Sequence, residues 1–393
     1  MAKQGLVVLV TGGSGFLGLH ICRLLKEGQL EEGWDDNFVK ELRILDLREP
    51  NQIVTKDQVT FRKGSVTVYK DVLEATKNVD VVVHTAGVID SGGVSKDKII
   101  DVNVNGTRFI CRACLENNVK YLVHTSSLCV LQHWGDNIGI LSNAEYPKDI
   151  NDFPSKTYGW SKSVGEKLVK ESNGRLCQDG KTVLKTCVLR PNGVYGDGDP
   201  YIIPAVLKAA ASGALKFRIG NGLMDYMYVG NVAYAHLLAI RSLVEGEVLA
   251  GRALNLSHEV PNTLMDLSKP YMNAFGFSIP EKTIPKCIIV PIAYILEFVL
   301  GCVPLKIRPD IPLTRSAVEY VSCHGLFTDL EALRDLKFKS IYSPEEIFER
   351  TLEYLKKELP LIQRNGAAQN EYSGGTLGWL FFLISSLIYY CFC

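Results

Sequence analysis

Tyr158 and Lys162 stand four residues apart in Tyr158-Gly159-Trp160-Ser161-Lys162, and on a helix that spacing projects both side chains from one face. A phenol ionises only at about pH 10 and is a poor base at neutrality, but a neighbouring ammonium favours the phenolate. Such a pair takes a proton from a substrate hydroxyl, and a hydroxyl donor beside it can orient the substrate oxygen. Tyr and Lys at this spacing are common by chance, so the pair counts only in context.

A second constellation lies near the start of the chain. Thr11-Gly12-Gly13-Ser14-Gly15-Phe16-Leu17-Gly18 follows the apolar run Leu6 to Val10 and opens a helical stretch from Phe16 to Lys26. In a strand-turn-helix context the glycines do separate jobs, giving a tight turn, room for a pyrophosphate against backbone, and close packing of helix on strand. The helix N-terminus then faces the anion. Asp46 ends the next apolar run, where a carboxylate accepts hydrogen bonds from an adenosine ribose and repels a 2′-phosphate. It lies 28 residues beyond Gly18, later than the usual spacing of about 20, and the polar insertion Glu27 to Glu41 accounts for the excess. Arg48 is placed where a 2′-phosphate would be met, yet the balance favours NAD over NADP.

The elements that position these residues alternate. Apolar runs predict strands at Leu6 to Val10, Leu42 to Asp46, Val59 to Arg62, Val79 to His84, Tyr121 to Ser126 and Thr186 to Arg190. Helical patterns lie between them at Tyr69 to Lys77, Lys96 to Asn117 and Ser161 to Ser172. Nearly continuous apolar strands such as Val79-Asp80-Val81-Val82-Val83 belong to a parallel sheet covered on both faces. The expected fold is therefore α/β, a doubly wound parallel sheet of Rossmann type over residues 1–195.

After residue 195 the alternation loosens, and Pro270 to Phe277 and Pro304 to Pro312 show no clear period. Residues 196–362 read as a smaller substrate lobe, with some chain returning to the first domain. Two segments are unusually apolar. Cys287 to Val303, interrupted by Pro291, Glu297 and Gly301, fits either a core helix or a membrane-surface helix. Beyond a polar linker at 363–375, Thr376 to Cys393 carries no charge, and as a helix it would be about 27 Å long, enough for a thin bilayer core. It reads as a membrane anchor, with Lys356, Lys357 and Arg364 on the cytosolic side.

Composition removes other classes. Of 393 residues, 43 are Lys or Arg and 43 Asp or Glu, so there is no basic excess for a nucleic acid. With 47% hydrophobic residues the chain can bury enough surface to fold. Cys111 and Cys114 alone among eleven cysteines have metal-like spacing, and nothing nearby completes a site. No metal is expected, and the thiols read as reduced and packed.

Taken together the motifs resemble the short-chain dehydrogenase/reductases of extended type, over about residues 5 to 240. The glycine turn, Val83-His84-Thr85-Ala86-Gly87, Val102-Asn103-Val104-Asn105-Gly106-Thr107, His124-Thr125-Ser126-Ser127, Tyr158 with Lys162, and Leu189-Arg190-Pro191-Asn192-Gly193-Val194-Tyr195-Gly196 match in order. Within that group the chain is most similar to the 3β-hydroxysteroid dehydrogenase/isomerase family, through Tyr228-Val229-Gly230-Asn231-Val232-Ala233, Ala235-His236 and Pro312-Leu313-Thr314-Arg315.

The resemblance implies Ser127 as catalytic serine, Tyr158 as acid/base and Lys162 as its activator. NAD would lie against Gly12, Gly15, Phe16, Leu17 and Gly18, with Asp46 and Arg48 at the adenosine ribose. Thr85, Ala86, Gly87, Asn103 and Pro191 would follow towards the nicotinamide, beside Tyr158 and Lys162. Ser65 and Val66 stand where many relatives have an Asp near the adenine, so that contact is uncharged here. His84 is expected to end a buried strand rather than titrate. Trp134, Tyr201, Tyr226 and Tyr228 are expected mainly in core packing. The implied substrate is a steroid or sterol whose 3β-hydroxyl becomes a ketone, with Δ5-to-Δ4 isomerisation in some members and no motif that marks it. A sterol-4α-carboxylate 3-dehydrogenase would use the same triad, and a sugar-nucleotide epimerase or reductase would share the fold, although its charged substrate fits poorly with an anchor and an apolar second lobe. Membrane lipid, a homodimer and an endoplasmic reticulum location with a cytosolic catalytic domain complete the expectation.

Overall fold

Val81, Val82 and Val83 are all fully buried, and because successive strand residues point to opposite faces, such a run requires cover on both sides of its sheet. The structure, a computed structural model, describes residues 5–27, 38–50, 59–90, 94–246, 248–257, 260–301, 314–327, 330–360 and 362. In it the valines form strand β4 (Val81–His84) of a seven-stranded parallel sheet. The other strands are β1 (Leu6–Thr11), β2 (Val39–Asp46), β3 (Val59–Lys63), β5 (Tyr121–Thr125), β6 (Lys185–Arg190) and β7 (Ala253–Asn255). Their spatial order is β7-β6-β5-β4-β1-β2-β3, every pair parallel. The chain thus winds outwards in both directions from β1 and β4, and the crevice beyond their carboxyl ends is where such sheets bind ligands.

Helices α1 (Phe16–Glu27), α2 (Tyr69–Ala75), α3 (Lys96–Ile100), α4 (Thr107–Glu116), α5 (Thr157–Ser172) and α6 (Val229–Glu245) supply the cover. On one face Val81 and Val83 pack with Ile21 and Leu25 of α1 and Val232 and Leu237 of α6. Val82 packs on the other with Ile110 and Cys114 of α4 and Val169 of α5. Cys111 and Cys114 are buried free thiols on α4.

Most expected strands agree to within two residues. One boundary is corrected: β2 begins at Val39, inside the insertion expected to be a surface loop as far as Glu41. Its polar residues are accommodated because Glu41 pairs with Arg43 at 3.0 Å, and Arg43 donates to the carbonyls of Ala75, which ends α2, and of Lys77 just beyond it. Helix α5 starts at Thr157 rather than Ser161, so Tyr158 and Lys162 share its first two turns. Strand β7 is only three residues long and carries no periodic signal.

Contacts divide the described residues into two compact units, one drawn from 5–194, 225–257 and 330–343 with 326–327, the other from 195–224, 260–301, 314–325 and 344–362. In the second unit the helices Ile202–Ala211, Leu264–Ala274 and Pro344–Glu358 share a core containing Ile203, Leu207, Tyr271, Met272 and Leu355. The segment Pro270 to Phe277, expected to lack period, is largely helical. Thr263 caps that helix by accepting from the Asp266 N–H at 3.1 Å, and burial of Tyr271 and Met272 outweighs the bond lost at Pro270.

The segment from Cys287 lies in a helix, Lys286–Gly301, that does two things at once. Ile289 and Ala293 are buried with Val318, while Ile295, Phe298 and Val299 on the other side are exposed, Phe298 to 76%. Among the described residues no helix is long and apolar enough to cross a membrane. Pro304 to Pro312, the linker 363–375 and the expected anchor Thr376 to Cys393 lie outside the described residues.

Candidate active site

Where β1 ends, Gly12 turns with φ of +71°, and a Cβ there would meet the Ala86 Cα at 2.8 Å and the Ala86 nitrogen at 2.9 Å. Ala86 follows β4, so two of the expected cofactor residues face each other across the centre of the sheet. Thr85 fastens the crossing by donating from Oγ1 to the Thr11 carbonyl at 2.7 Å. Gly18, in the first turn of α1, would place a Cβ only 2.1 Å from the Gly12 carbonyl oxygen. The turn therefore leaves clear backbone above the N-terminus of α1, where Gly15, Phe16 and Leu17 lie, as a pyrophosphate requires.

Asp46 at the end of β2 accepts from the Ser14 N–H at 3.0 Å and from the Arg48 N–H at 3.2 Å. Its carboxylate is thus held beside the glycine turn with lone pairs to spare. Arg48 is exposed. The Ser65 hydroxyl is 2.8 Å from that of Thr67, and Val66 is buried against Gly106. Gly106 ends a π-helical turn, Asp101–Gly106, inserted between α3 and α4. Such insertions are frequent at functional sites, and this one carries Asn103, which donates to the Ser161 hydroxyl at 3.0 Å and to the Val88 carbonyl at 2.9 Å. A Cβ on Gly87 would lie 3.5 Å from Asn103 Oδ1 and 3.9 Å from Lys162 Nζ, so these three expected residues are neighbours.

The triad is assembled from two elements. Ser127 follows β5 in extended conformation, close enough to Tyr158 at the start of α5 for its hydroxyl to act on the phenol. Lys162, buried one turn on, donates from Nζ to the Thr125 carbonyl at 2.5 Å. Burial pushes the Lys162 ammonium down to about 8, opposed by the negative charge of Glu166. It pushes the Tyr158 phenol up, and the Ser127 hydroxyl pulls the other way. Helix α5 enters through Lys156, whose φ of +46° is uncommon for a residue with a side chain and costs of order 1–3 kcal/mol. That turn, closed by Lys156 N–H to the Phe153 carbonyl, sets the register in which Tyr158 meets Ser127.

His84 ends β4 fully buried, with Nδ1 at 2.7 Å from Thr11 Oγ1 and Nε2 at 3.0 Å from Thr107 Oγ1. Burial, and then the Lys162 charge, hold it down at about 3. It therefore stays neutral and braces the crossing between β1 and β4. Pro191, after β6, accepts from the Leu128 N–H at 3.2 Å, which brings it to the segment that carries Ser127. Tyr226 and Tyr228 are buried and Tyr201 is exposed.

Residues 9–286 match one protein family, described as 3-beta hydroxysteroid dehydrogenase/isomerase. The chain belongs to that family. Two relatives of Arabidopsis thaliana, 3beta-hydroxysteroid-dehydrogenase/decarboxylase isoforms 2 and 1, are each 30% identical over 362 residues and 88% of this chain. The match spans 61% of the first relative's length and 78% of the second's. Solved structures share the fold of this family member. The NAD-bound dTDP-glucose 4,6-dehydratase of Streptomyces venezuelae is 17% identical with a TM-score of 0.66, covering 90% of this chain and 98% of its own. A Bacillus cereus UDP-glucuronic acid 4-epimerase in complex with NAD is 15% identical with a TM-score of 0.64, covering 90% and 99%.

Beneath the triad lies a cluster that sequence reasoning did not single out. Glu166, fully buried on α5, receives Arg190 Nε at 3.0 Å, Ser126 Oγ at 2.6 Å and the Tyr146 hydroxyl at 2.8 Å. Burial alone would raise its carboxyl, but Arg190 holds it below the usual range. The signal was present: Tyr158, Lys162 and Glu166 repeat at four-residue steps, and Arg190 is a cation closing an apolar strand.

The glycines separate clearance for the fold from clearance for a ligand. Gly18→Ala would drive a methyl into backbone, and a loss of about 1–3 kcal/mol in chemical unfolding is expected. Gly87→Ala meets only ordinary contacts, so its stability should stay within about 0.5 kcal/mol of the parent, while calorimetry should show weakened dinucleotide binding. Equal stability of both variants would contradict the assignment.

Proposed function

We propose that the chain oxidises the 3β-hydroxyl of a steroid or sterol to the 3-ketone, with NAD as partner. The observation that carries this is the meeting of Ser127, at the end of β5, with Tyr158 and the buried Lys162 in the first turns of α5, in a chain of this family. The glycine turn, with a cradle that a Cβ would fill, fits a dinucleotide pyrophosphate, and Asp46 fits an unphosphorylated adenosine ribose. The dehydratase and the epimerase that share the fold both hold NAD, which supports the same cofactor here. Arg48 would border that ribose, Ser65 and Val66 the adenine, and Asn103 and Pro191 the nicotinamide end. Nicotinamide, when bound, supplies the hydride acceptor.

The chain's own residues handle the proton. Tyr158 as phenolate takes the proton of the substrate hydroxyl while the carbinol hydride leaves. Lys162, as an ammonium, favours that phenolate through its charge. Ser127 donates to the oxygen as it becomes a carbonyl, the position at which a fixed donor does most. The names of the two Arabidopsis relatives favour a second reading, in which the substrate carries a carboxyl at C4. Oxidation then gives a β-keto acid that loses CO₂, its C–C bonding pair passing into the ketone to form the enol.

We also place the chain at a membrane, the endoplasmic reticulum being the expected one. Supporting this are the uncharged stretch Thr376 to Cys393 and the exposed Ile295, Phe298 and Val299 of the Lys286–Gly301 helix. A lipid-soluble substrate makes that location physically sensible.

Purified protein with NAD should form NADH from one or more of a panel of 3β-hydroxysterols with and without a 4α-carboxyl. Released CO₂ selects the second reading, and a conjugated product adds isomerisation. Tyr158→Phe should lower kcat by about 10²–10⁴ and leave NAD affinity within about twofold; full activity in that variant would sink the mechanism. Truncation before Thr376 should move a folded protein into the soluble fraction. Continued sedimentation with membranes would transfer the anchoring role to the Lys286–Gly301 helix.

A further inference from the structure

Glu166 and Arg190 are 0% and 1% exposed at their side chains, a setting in which two ions lose several kcal/mol each of hydration. Their positions say what is gained. Glu166 lies one turn beyond Lys162 on α5, and its other oxygen contacts reach Ser126, next to Ser127, and Tyr146. Arg190 closes β6 and donates from NH1 to the Ser142 carbonyl at 2.8 Å and to Asn255 Oδ1 at 3.2 Å. On either side of Arg190, the Leu189 carbonyl accepts from Ser126 N–H at 2.7 Å and the Pro191 carbonyl from Leu128 N–H at 3.2 Å. One ion pair therefore joins the helix of Tyr158 and Lys162 to the end of β6, whose backbone on either side of Arg190 holds the segment that carries Ser127.

We propose that Glu166 and Arg190 are positioning residues for the reaction: their ion pair fixes Ser127 against Tyr158 and holds a carboxylate one helical turn from Lys162. This rests on the reading of Lys162 as the activator of Tyr158. The groups that face Lys162 leave Glu166 as its buried counter-charge. Tyr158 lies on the same helix, the Cys129 thiol is pushed up by burial, and His84 and His124, stacked 5.1 Å apart on β4 and β5, are both held neutral by burial. Glu166 itself is faced by Arg190 from β6, Ser126 from the end of β5 and Tyr146.

Removing only the carboxylate would strand Arg190 in the interior, so the decisive variant carries Glu166→Gln and Arg190→Met together, which takes away both ions. In the full chain labelled with ¹³C at lysine Cε, the Lys162 resonance, assigned by its loss in Lys162→Arg, is followed against pH. In the parent its midpoint is expected near 8. In the double variant it should fall, the ammonium becoming about tenfold more acidic, whereas Glu166→Asp should retain the parent midpoint. With a 3β-hydroxysterol, kcat of the double variant should fall about tenfold or more with KM for NAD little changed. A folded double variant with an unchanged Lys162 midpoint, or a double variant that does not fold, would assign the pair to the fold alone and overturn the proposal. An inactive parent enzyme would sink the sterol reading, while the titration, which needs no substrate, would still decide this one.

Discussion

Nothing larger than hydrogen fits at Gly12, between the backbone leaving β1 and that leaving β4, and the rest of the site is arranged around that clearance. The two strands are neighbours in the sheet, with Thr11 in register with His84, yet the chain departs from them towards opposite faces. The opening between them is the switch point of the fold. Gly18 brings α1 against the Gly12 carbonyl and so aims its N-terminus along the sheet edge. The same parallel register continues outwards, pairing His84 with His124 and Thr125 with Leu189. Ser127 thereby arrives beside α5 at the carboxyl ends of the strands.

The half of the site around Ser127, Tyr158 and Lys162 is built at the expense of stability. Lys162, Glu166, Arg190, His84 and His124 are all nearly or fully buried, and Lys156 holds a backbone conformation better suited to glycine. Each feature alone would weaken a domain. They persist because carbonyls and hydroxyls satisfy most of them, as Thr125 does for Lys162 and Ser126 for Glu166. Apolar packing on both sheet faces carries the compensating burial, and the polar cluster is confined to the strand ends.

Much of this was legible in the sequence for definite reasons. A parallel sheet buried on both faces writes uninterrupted apolar runs, so six of its strands and the glycine turn could be read directly. The Tyr158 and Lys162 pair was legible by spacing, although the start of α5 was not, because Gly159 and Trp160 are weak helix formers held there by tertiary contacts. Strand β7 was too short to show a period. The start of β2 was hidden by Lys40 and Glu41, whose polarity mimics a loop until Arg43 pairs with Glu41. Glu166 and Arg190 each left a mark in the sequence, but their pairing did not, because they are distant along the chain and meet only when β6 lies beside β5. In the second unit, Pro270 disguised a helix that its cap and its buried face maintain.

The central claim is that a hydride leaves the C3 carbinol of a steroid or sterol at the Ser127, Tyr158 and Lys162 cluster. Its most direct measurement uses a 3β-hydroxysterol carrying deuterium at C3, incubated with the protein and NAD, with both products weighed by mass spectrometry. The account predicts deuterium in the reduced nicotinamide and a 3-ketosterol that has lost it. Reduced cofactor free of deuterium, or deuterium retained at C3 of every recovered sterol, would contradict it.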